Sequence, residues 1–288
     1  MTPTLTIKDA VAEFMADYAI GKTEKTTEQM RGTLDEFLAS CHKTDLTDIA
    51  KSDIKTFWQW VVDSSPTKSL RTASNKTLRV HTFLSFHGIR LLDRRDTKTT
   101  WRVPKYVERV PEAYDDAELD TFLAACTDYQ QACFMTLLMS GLREQELIYL
   151  EWNDLDFEQA LLHVRAKADY DFSPKSHKER SIVIPDELLK FLKTLPRNGK
   201  LVFPTASGKP QFKLLRTCKR IAKRAGLDAD RWWLHKFRAT FATQLFQKGL
   251  PLPDVMYLLG HTQMSSTMRY AGRLRNQMLR EKVNAAWA

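Results

Sequence analysis

The sequence contains few of the residues that build covalent or metal-bound frameworks. Only four of its 288 residues are cysteines, and none has the CxxC spacing or the neighbouring histidines typical of a zinc site. We therefore predict buried thiols in a reducing cytosol, with no disulfide framework and no bound metal. The cysteines are Cys41, Cys126, Cys133 and Cys218.

Apolar runs are also short. No segment approaches the roughly 20 apolar residues that cross a bilayer. The opening residues, MTPTLTIKDA, lack the basic start and apolar core of a signal peptide. These absences predict a cytoplasmic protein without a membrane partner. The sequence also has no GxxxxGK[ST] phosphate loop and no acidic cluster for Mg²⁺, so neither a nucleotide cofactor nor metal-dependent phosphoryl transfer is indicated.

Positive charge, by contrast, is abundant and unevenly distributed. The formal net charge is +9, and residues 65–105 hold ten Lys or Arg against two Asp. Residues 190–238 hold fourteen Lys or Arg against two Asp. Such segregation is typical of a surface that binds a polyanion, although a basic face covered only by solvent has the same pattern. The candidate DNA-contacting residues are Arg71, Lys76, Arg79, Lys213, Arg216, Lys219, Arg220, Lys223 and Arg224.

The first hundred residues predict four helices and no strand. Apolar residues recur at helical spacing after a cap at Thr6, and a later helix is expected to have Ser52 or Asp53 as its cap. The fourth helix is expected to stop at Gly88. We interpret residues 1–103 as a helical domain and the proline-bracketed residues 104–112 as a linker.

Residues 113–288 predict a mixed α+β domain. Its only alternating runs are Leu161–Ala166 and Ser181–Ile184, which flank a polar loop. Residues 213–225 predict a helix with a basic face and an apolar face that includes Leu214 and Leu215. A short helix is predicted as the C-terminal tail. The predicted fold class is mainly α with a small β region.

Six polar side chains in this second domain form one chemically coherent set. Two arginines can hold the non-bridging oxygens of a phosphodiester, and a lysine can protonate a leaving alkoxide. Two histidines can donate hydrogen bonds or move a proton, and a tyrosine can attack phosphorus. The six are Arg143 in SGLREQEL, Lys175 in PKSHKER, His235 and Arg238 in HKFR, His261 in LGH, and Tyr270 in MRYAG.

A seventh residue is a candidate to orient the first arginine. Glu146 follows Arg143 by three residues, so the two side chains share a helix face. Its carboxylate can therefore hold the guanidinium in place. A simple surface ion pair of little energetic value is the alternative interpretation.

In this order and spacing, the boxes closely resemble those of the tyrosine recombinase family, which includes the phage integrases and Xer-like recombinases. The nine-residue interval between His261 and Tyr270 is the most specific match. The resemblance extends from Pro111 to about Ala271 and is looser over the N-terminal helices. It implies a helical, SAM-like core-binding domain followed by a mixed α+β catalytic domain.

The resemblance also implies a mechanism. Tyr270 would attack the scissile phosphate, leaving a 3′-phosphotyrosyl bond and a free 5′-hydroxyl. Arg143 and Arg238 would stabilise the transition state. Lys175 would be the general acid, with Lys178 as the alternative. Because the ester conserves the energy of the broken bond, the reaction would need no cofactor.

The remaining roles and the partners follow from the same resemblance. His235 would act as acid or base, and His261 would hydrogen-bond the phosphate. The partner would be double-stranded DNA, on which four copies join two sites through a Holliday junction. The tail helix would dock on a neighbouring copy or pack within its own chain. An accessory directionality factor is a further expected partner.

Two other functions stay open at this point. A type IB topoisomerase uses a similar set of residues and relaxes DNA alone, but the compact helical module and the tail favour the recombinase. A catalytically silent DNA-binding protein of the same fold is the second alternative, although it has no need of a nucleophile. Integration, excision and resolution are equally compatible with the sequence, and a simple Xer-like or mobile-element enzyme is favoured.

Overall fold

The computed structural model describes residues 5–66, 69–91, 103–104, 106, 111–175, 178–271, 280, 283–284 and 286–287. The chain divides into two compact units, residues 1–108 and residues 109–288. The linker predicted over residues 104–112 and the tail helix predicted after Ala271 lie largely outside the described residues. No helix among the described residues is long and apolar enough to cross a membrane.

The first unit is built from four helices around an apolar core. The helices are α1 (Ile7–Tyr18), α2 (Glu24–Ser40), α3 (Lys51–Ser64) and α4 (Leu70–Phe86). Each turns an apolar stripe inward, and together they bury Phe14, Leu34, Phe37, Phe57 and Phe83. This is the helical module that the sequence predicts.

The helix ends of this unit follow local capping chemistry. The Thr6 hydroxyl accepts a hydrogen bond from the Asp9 amide at 3.2 Å, so the predicted cap of α1 is confirmed. The predicted cap of α3 at Ser52 or Asp53 is wrong, because the N-cap residue is Ala50. The helix begins at Lys51, and the Asp53 carboxylate instead accepts from the Ala50 amide at 2.8 Å. An acidic side chain in the first turn satisfies a free amide as well as a cap does, which explains the displaced start.

The second unit combines eight helices with a small sheet among its described residues. The helices are α5 (Asp116–Ala124), α6 (Asp128–Ser140), α7 (Glu144–Ile148), α8 (Asp186–Thr194), α9 (Leu214–Arg224), α10 (Leu234–Gln247), α11 (Leu252–Leu259) and α12 (Met264–Ala271). The strands are β1 (Leu155–Asp156), β2 (Leu161–Val164) and β3 (Arg180–Val183).

The sheet is antiparallel, in the order β1-β2-β3. Leu162 on the central strand lies opposite both Leu155 and Ile182, so the inward residues of all three strands meet in the core. The two predicted runs correspond to β2 and β3, although β2 stops before Ala166 and β3 starts one residue before Ser181. Strand β1 was not predicted, because two residues are too few to show an alternating pattern.

Helices α6 and α10 form the centre of this unit. Phe134 and Phe237 are fully buried between them, with ring centroids 5.5 Å apart. Burial of such a side chain contributes roughly 1.5–3 kcal/mol to stability. Helix α9 turns Leu214, Cys218, Ile221 and Ala222 into the same core. Leu215 is 40% exposed, so its predicted packing is wrong. Leu215 follows Leu214 by one residue, so it points about 100° away from Leu214 around the helix axis.

Two helices end on glycines in the left-handed conformation. Helix α6 ends at Gly141 (φ +63°) and α11 ends at Gly260 (φ +63°). A Cβ atom on Gly141 would lie 2.8 Å from Cε1 of Phe241. A Cβ atom on Gly260 would lie 2.9 Å from Cδ of Arg180. Glycine is therefore required at both ends for conformation and for space.

We predict that Gly141→Ala destabilises the protein by roughly 2–5 kcal/mol. The left-handed backbone costs an alanine about 1–2 kcal/mol, and the contact with Phe241 adds an overpacking term of about 1–3 kcal/mol. Gly226→Ala is the matched control, since Gly226 has φ +74° and open space around its Cα. Chemical denaturation of the full chain measures both variants, and equal losses would mean that Phe241 moves aside freely.

Candidate active site

All six predicted catalytic side chains line one pocket of about 370 Å³ in the second unit. They come from four places in the chain: the end of α6, the loop between β2 and β3, helix α10, and the α11–α12 region. The full lining is Arg143, Lys175, His235, Arg238, Gly260, His261, Thr262, Ser266, Arg269 and Tyr270.

Arg238 is held by the carboxyl ends of two helices. Its side chain is fully buried, and its guanidinium donates to the carbonyl oxygens of Gly141 and Leu259. Carbonyls at helix C-termini lack intrahelical partners and carry partial negative charge, so they suit a buried cation. Burial and the nearby Arg143 charge lower the pKa of Arg238 to about 9, which leaves it a cation at neutral pH.

Arg143 is held by Glu146, as the sequence suggested. The Arg143 side chain donates to one Glu146 carboxylate oxygen at 2.7 Å, and the Arg143 amide donates to the other at 2.8 Å. Arg143 itself immediately precedes α7, so Glu146 lies in the first turn of that helix. The carboxylate is buried, which excludes the alternative of an exposed surface pair.

Arg180 binds the same Glu146 carboxylate from the other side. Its two terminal nitrogens donate to the two Glu146 oxygens at 3.0 and 2.7 Å. Burial raises the pKa of Glu146, but the hydrogen bonds and charge of Arg180 and the charge of Arg143 outweigh it and lower the pKa to about 2. Glu146 is therefore ionised throughout the physiological range.

The end of α11 gathers all three arginines. Arg180 donates through Nε to the Leu258 carbonyl at 3.1 Å, and Arg238 donates to the next carbonyl, that of Leu259. Arg143 lies 3.5 Å from the carbonyl after that, at Gly260. Three consecutive carbonyls thus accept from three guanidinium groups, directly before His261.

The two histidines are neutral bases in this environment. Burial and the charges of Arg238 and Arg143 lower the pKa of His235 to about 4 and that of His261 to about 3. His261 Nε2 lies 3.1 Å from an Arg238 nitrogen, which only donates, so Nε2 is an acceptor. Its Nδ1 then carries the proton and donates to the Thr267 hydroxyl at 2.8 Å.

Tyr270 is buried beside both histidines. Only 5% of the residue is exposed, and its hydroxyl lies 3.3 Å from His235 Nε2. The rings of Tyr270 and His261 stack with centroids 6.1 Å apart. The hydroxyl therefore faces a neutral imidazole in a pocket that carries positive charge.

Lys175 lines the pocket, whereas Lys178 does not. The chain that leads to Lys175 is anchored, because Lys167 and Phe172 exchange two backbone hydrogen bonds at 2.8 and 3.0 Å. The rings of Tyr170 and Phe172 pack against Tyr149, with centroids 5.1 Å away in each case. These contacts place Lys175 just after the anchored arm of the loop.

The candidate DNA-contacting residues differ in whether their side chains bind other groups of the protein and in their exposure. In the first unit, Lys76 binds Glu36 at 2.6 Å and Arg79 binds Gln29 at 3.0 Å, while the Arg71 guanidinium lies over the Tyr106 ring. On α9, Lys219 pairs with Asp230 and Arg224 donates to the Ala125 carbonyl. The exposed cations of this helix region are Lys213, Arg216, Arg220, Lys223 and Arg224.

Sequence reasoning missed Arg180, Thr267 and Arg269. Arg180 starts β3 and alternates inward with Ile182, so an inward-pointing charge in a strand was the available signal. Arg269 lines the pocket directly before Tyr270. Thr267 is fully buried and is recognisable only once its contact with His261 is known.

We predict that stability falls as the pH is lowered from 7 to 5. Unfolded histidines bind protons near pH 6.5, while folded His235 and His261 bind them only near pH 4 and pH 3, so acid favours the unfolded chain. The double variant His235→Gln/His261→Gln should lose most of this decline in denaturation midpoint. His163→Gln on β2, outside the pocket, is the control, and an unchanged slope in the double variant would contradict the assignment.

Comparison with known proteins identifies relatives of the whole chain. The sequence model of the phage integrase family matches residues 113–277. A XerC-like tyrosine recombinase of Caldanaerobacter subterraneus subsp. tengcongensis is 31% identical over 56% of this chain, which spans half of that relative's length. The tyrosine recombinase XerD of Proteus mirabilis is 27% identical over 76% of this chain and 79% of its own.

Solved structures share the fold across nearly the whole chain. The Tn1549 transposon integrase in complex with circular intermediate DNA superposes with a TM-score of 0.76 at 17% identity, covering 96% of this chain and 99% of its own. A lambda integrase dimer bound to a COC′ core site gives a TM-score of 0.72 at 16% identity, covering 93% and 77%. This likeness confirms the predicted fold class. Because the family match spans more than half of the sequence and includes every box described above, the chain belongs to the phage integrase family, the family of the tyrosine recombinases.

Proposed function

We propose that this protein is a site-specific recombinase that cuts and rejoins double-stranded DNA through a covalent bond to Tyr270. The observation that carries the proposal is the Tyr270 hydroxyl, 3.3 Å from a neutral histidine in a pocket lined by Arg143 and Arg238. Membership of the family and the relatives named above support site-specific recombination as the activity.

The proposed cleavage step balances without any cofactor. The Tyr270 oxygen forms a bond to phosphorus while the bond from phosphorus to the 5′-oxygen breaks. His235 Nε2 takes the phenolic proton, since its lowered pKa keeps it unprotonated at neutral pH. Lys175 gives a proton to the departing 5′-oxygen. A 5′-hydroxyl from the partner strand reverses the sequence and releases Tyr270.

Arg143 and Arg238 stabilise the charge on the non-bridging oxygens. Both are held in place before DNA arrives, so little reorganisation is required in the transition state. The Nε of Arg238 is buried and makes no hydrogen bond within the described part of the chain, which leaves a donor for a phosphate oxygen. One more donor becomes available when the His261 proton moves to Nε2, which requires the Arg238 nitrogen 3.1 Å away to turn from Nε2 to the phosphate. The Thr267 hydroxyl can then donate to Nδ1.

The wider reaction follows from the chemistry of the ester. Each cleavage leaves one 5′-hydroxyl, so a complete exchange requires four active sites on two duplexes and passes through a Holliday junction. We therefore include a tetramer on paired sites, a cytoplasmic location and an accessory directionality factor in the proposal, with a mobile element or a replicon as the DNA substrate. A topoisomerase is disfavoured, since the relatives reported above are recombinases and integrases.

Tyr270→Phe should abolish covalent attachment to DNA while leaving binding intact. The test uses a site selected from a random-sequence library and nicked so that cleavage becomes irreversible, and it scores an SDS-resistant adduct. Tyr257→Phe is the matched control, since Tyr257 lies on α11 and is 60% exposed. Equal adducts from both variants would show that another residue attacks. Bound DNA without any adduct in the wild type would favour the silent DNA-binding protein.

Lys175→Met should slow cleavage by about 10²–10⁴-fold, the usual contribution of a general acid. A substrate whose 5′-bridging oxygen is replaced by sulfur should remove most of this defect, because a thiolate leaves without a proton. Lys178→Met is the control and should cleave both substrates at nearly the wild-type rate. The opposite pattern would assign the acid to Lys178.

A further inference from the structure

The described hydrogen bonds of Arg180 are made to Glu146 and to the Leu258 carbonyl. Only 5% of its side chain is exposed, and it is absent from the pocket lining. Its two terminal nitrogens bind Glu146, and its Nε binds the Leu258 carbonyl. A buried arginine that lies beside the pocket but outside its lining calls for a role other than phosphate binding.

We propose that Arg180 is a positioning residue for strand cleavage, which keeps Arg143 available to the phosphate by competing with it for Glu146. The inference rests on the function proposed above. It assigns Arg180 no contact with DNA, and its effect passes through Glu146 and through the end of α11.

The first route runs through the shared carboxylate. Arg180 forms a forked pair with both Glu146 oxygens, the strongest geometry open to an arginine and a carboxylate. Arg143 consequently keeps only one side-chain hydrogen bond to Glu146, at 2.7 Å. Without Arg180, the buried carboxylate has one guanidinium left to satisfy it. Arg143 would then form a forked pair with both oxygens of Glu146, and much of its positive charge would no longer be available to the phosphate.

The second route runs through the end of α11. Arg180 binds the Leu258 carbonyl at 3.1 Å, and its side chain packs so closely on Gly260 that no Cβ fits there. His261 follows directly. The Arg180 side chain thus binds both Glu146, which holds Arg143, and the end of α11, which precedes His261. It therefore keeps Arg143 and His261 at a constant separation across the pocket.

Charge explains why an arginine suits this position. Three guanidinium groups and one carboxylate lie together in a partly buried cluster, and only Glu146 opposes their repulsion within it. A shorter cation cannot reach both carboxylate oxygens and the Leu258 carbonyl together. A neutral side chain leaves Glu146 entirely to Arg143. Removing the carboxylate as well should therefore relieve part of the harm done by removing Arg180.

The test measures single-turnover cleavage of the nicked substrate at saturating protein, together with DNA affinity and thermal midpoint. Arg180→Met should slow cleavage on the order of 10²-fold, as loss of one preorganised transition-state donor does. DNA affinity should stay close to that of the wild type. Arg180→Lys should recover part of the rate. The double variant Arg180→Met/Glu146→Gln should cleave faster than Arg180→Met alone.

Comparison of the cleavage rate with the thermal midpoint separates positioning from simple destabilisation. In Arg180→Met, the added Glu146→Gln substitution removes the carboxylate that holds Arg143, so the double variant should regain cleavage rate without regaining the thermal midpoint. Ile182→Val is the matched control, because Ile182 lies on the same strand, points the same way and contacts only the core. A general loss of stability would instead lower the rate and the thermal midpoint together in every variant.

Each outcome decides the inference. An Arg180→Met protein that cleaves like Ile182→Val would overturn it, as would a double variant slower than either single variant. If Arg180→Met does not fold, Arg180→Lys and Arg180→Lys/Glu146→Gln carry the same comparison. Absence of adduct in the wild type would refute the proposed function, whereas a cleaving wild type with unaffected Arg180 variants would refute this inference alone.

Discussion

The site depends on one interaction: the carboxyl end of α11 accepts hydrogen bonds from three arginines at three consecutive carbonyls. Like charges so close together repel, and burial strengthens that repulsion. The cluster persists because the helix end supplies partial negative charge, the end of α6 supplies a further carbonyl, and Glu146 supplies a full charge. His261 follows directly on the third of these carbonyls, and the charges of Arg238 and Arg143 contribute to the lowered pKa values of both histidines.

The consequences reach into the backbone and the histidines. Both helix ends require a left-handed glycine, since only that conformation exposes the terminal carbonyls and leaves room for Phe241 and Arg180 beside them. The same positive field keeps His235 and His261 neutral. In the proposed function, the arginine cluster that would bind the phosphate would therefore also keep His235 neutral as the base for Tyr270.

Much of this could be predicted from the sequence, and the exceptions have physical causes. The helices followed from apolar spacing, and the six pocket residues followed from the order and intervals of short boxes. Arg180 escaped notice because its partners lie 34 and 78 residues away along the chain. Strand β1 is too short to show a period. The start of α3 was displaced because Asp53 caps from inside the helix. Only for Arg180 is the deciding contact made by residues that are distant in sequence.

The anchored arm before Lys175 limits which part of that residue can move. Pro174 is buried, and Phe172 is fastened to Lys167 by two backbone hydrogen bonds. The Lys175 Cα is thus held about 3.8 Å from a fixed neighbour, and the rest of its reach lies in its own flexible side chain. Rotamer changes of an exposed side chain take picoseconds to nanoseconds, whereas loop rearrangements take up to microseconds. In the role proposed for Lys175, placing the ammonium group is therefore a matter of side-chain rotamers and not of loop movement.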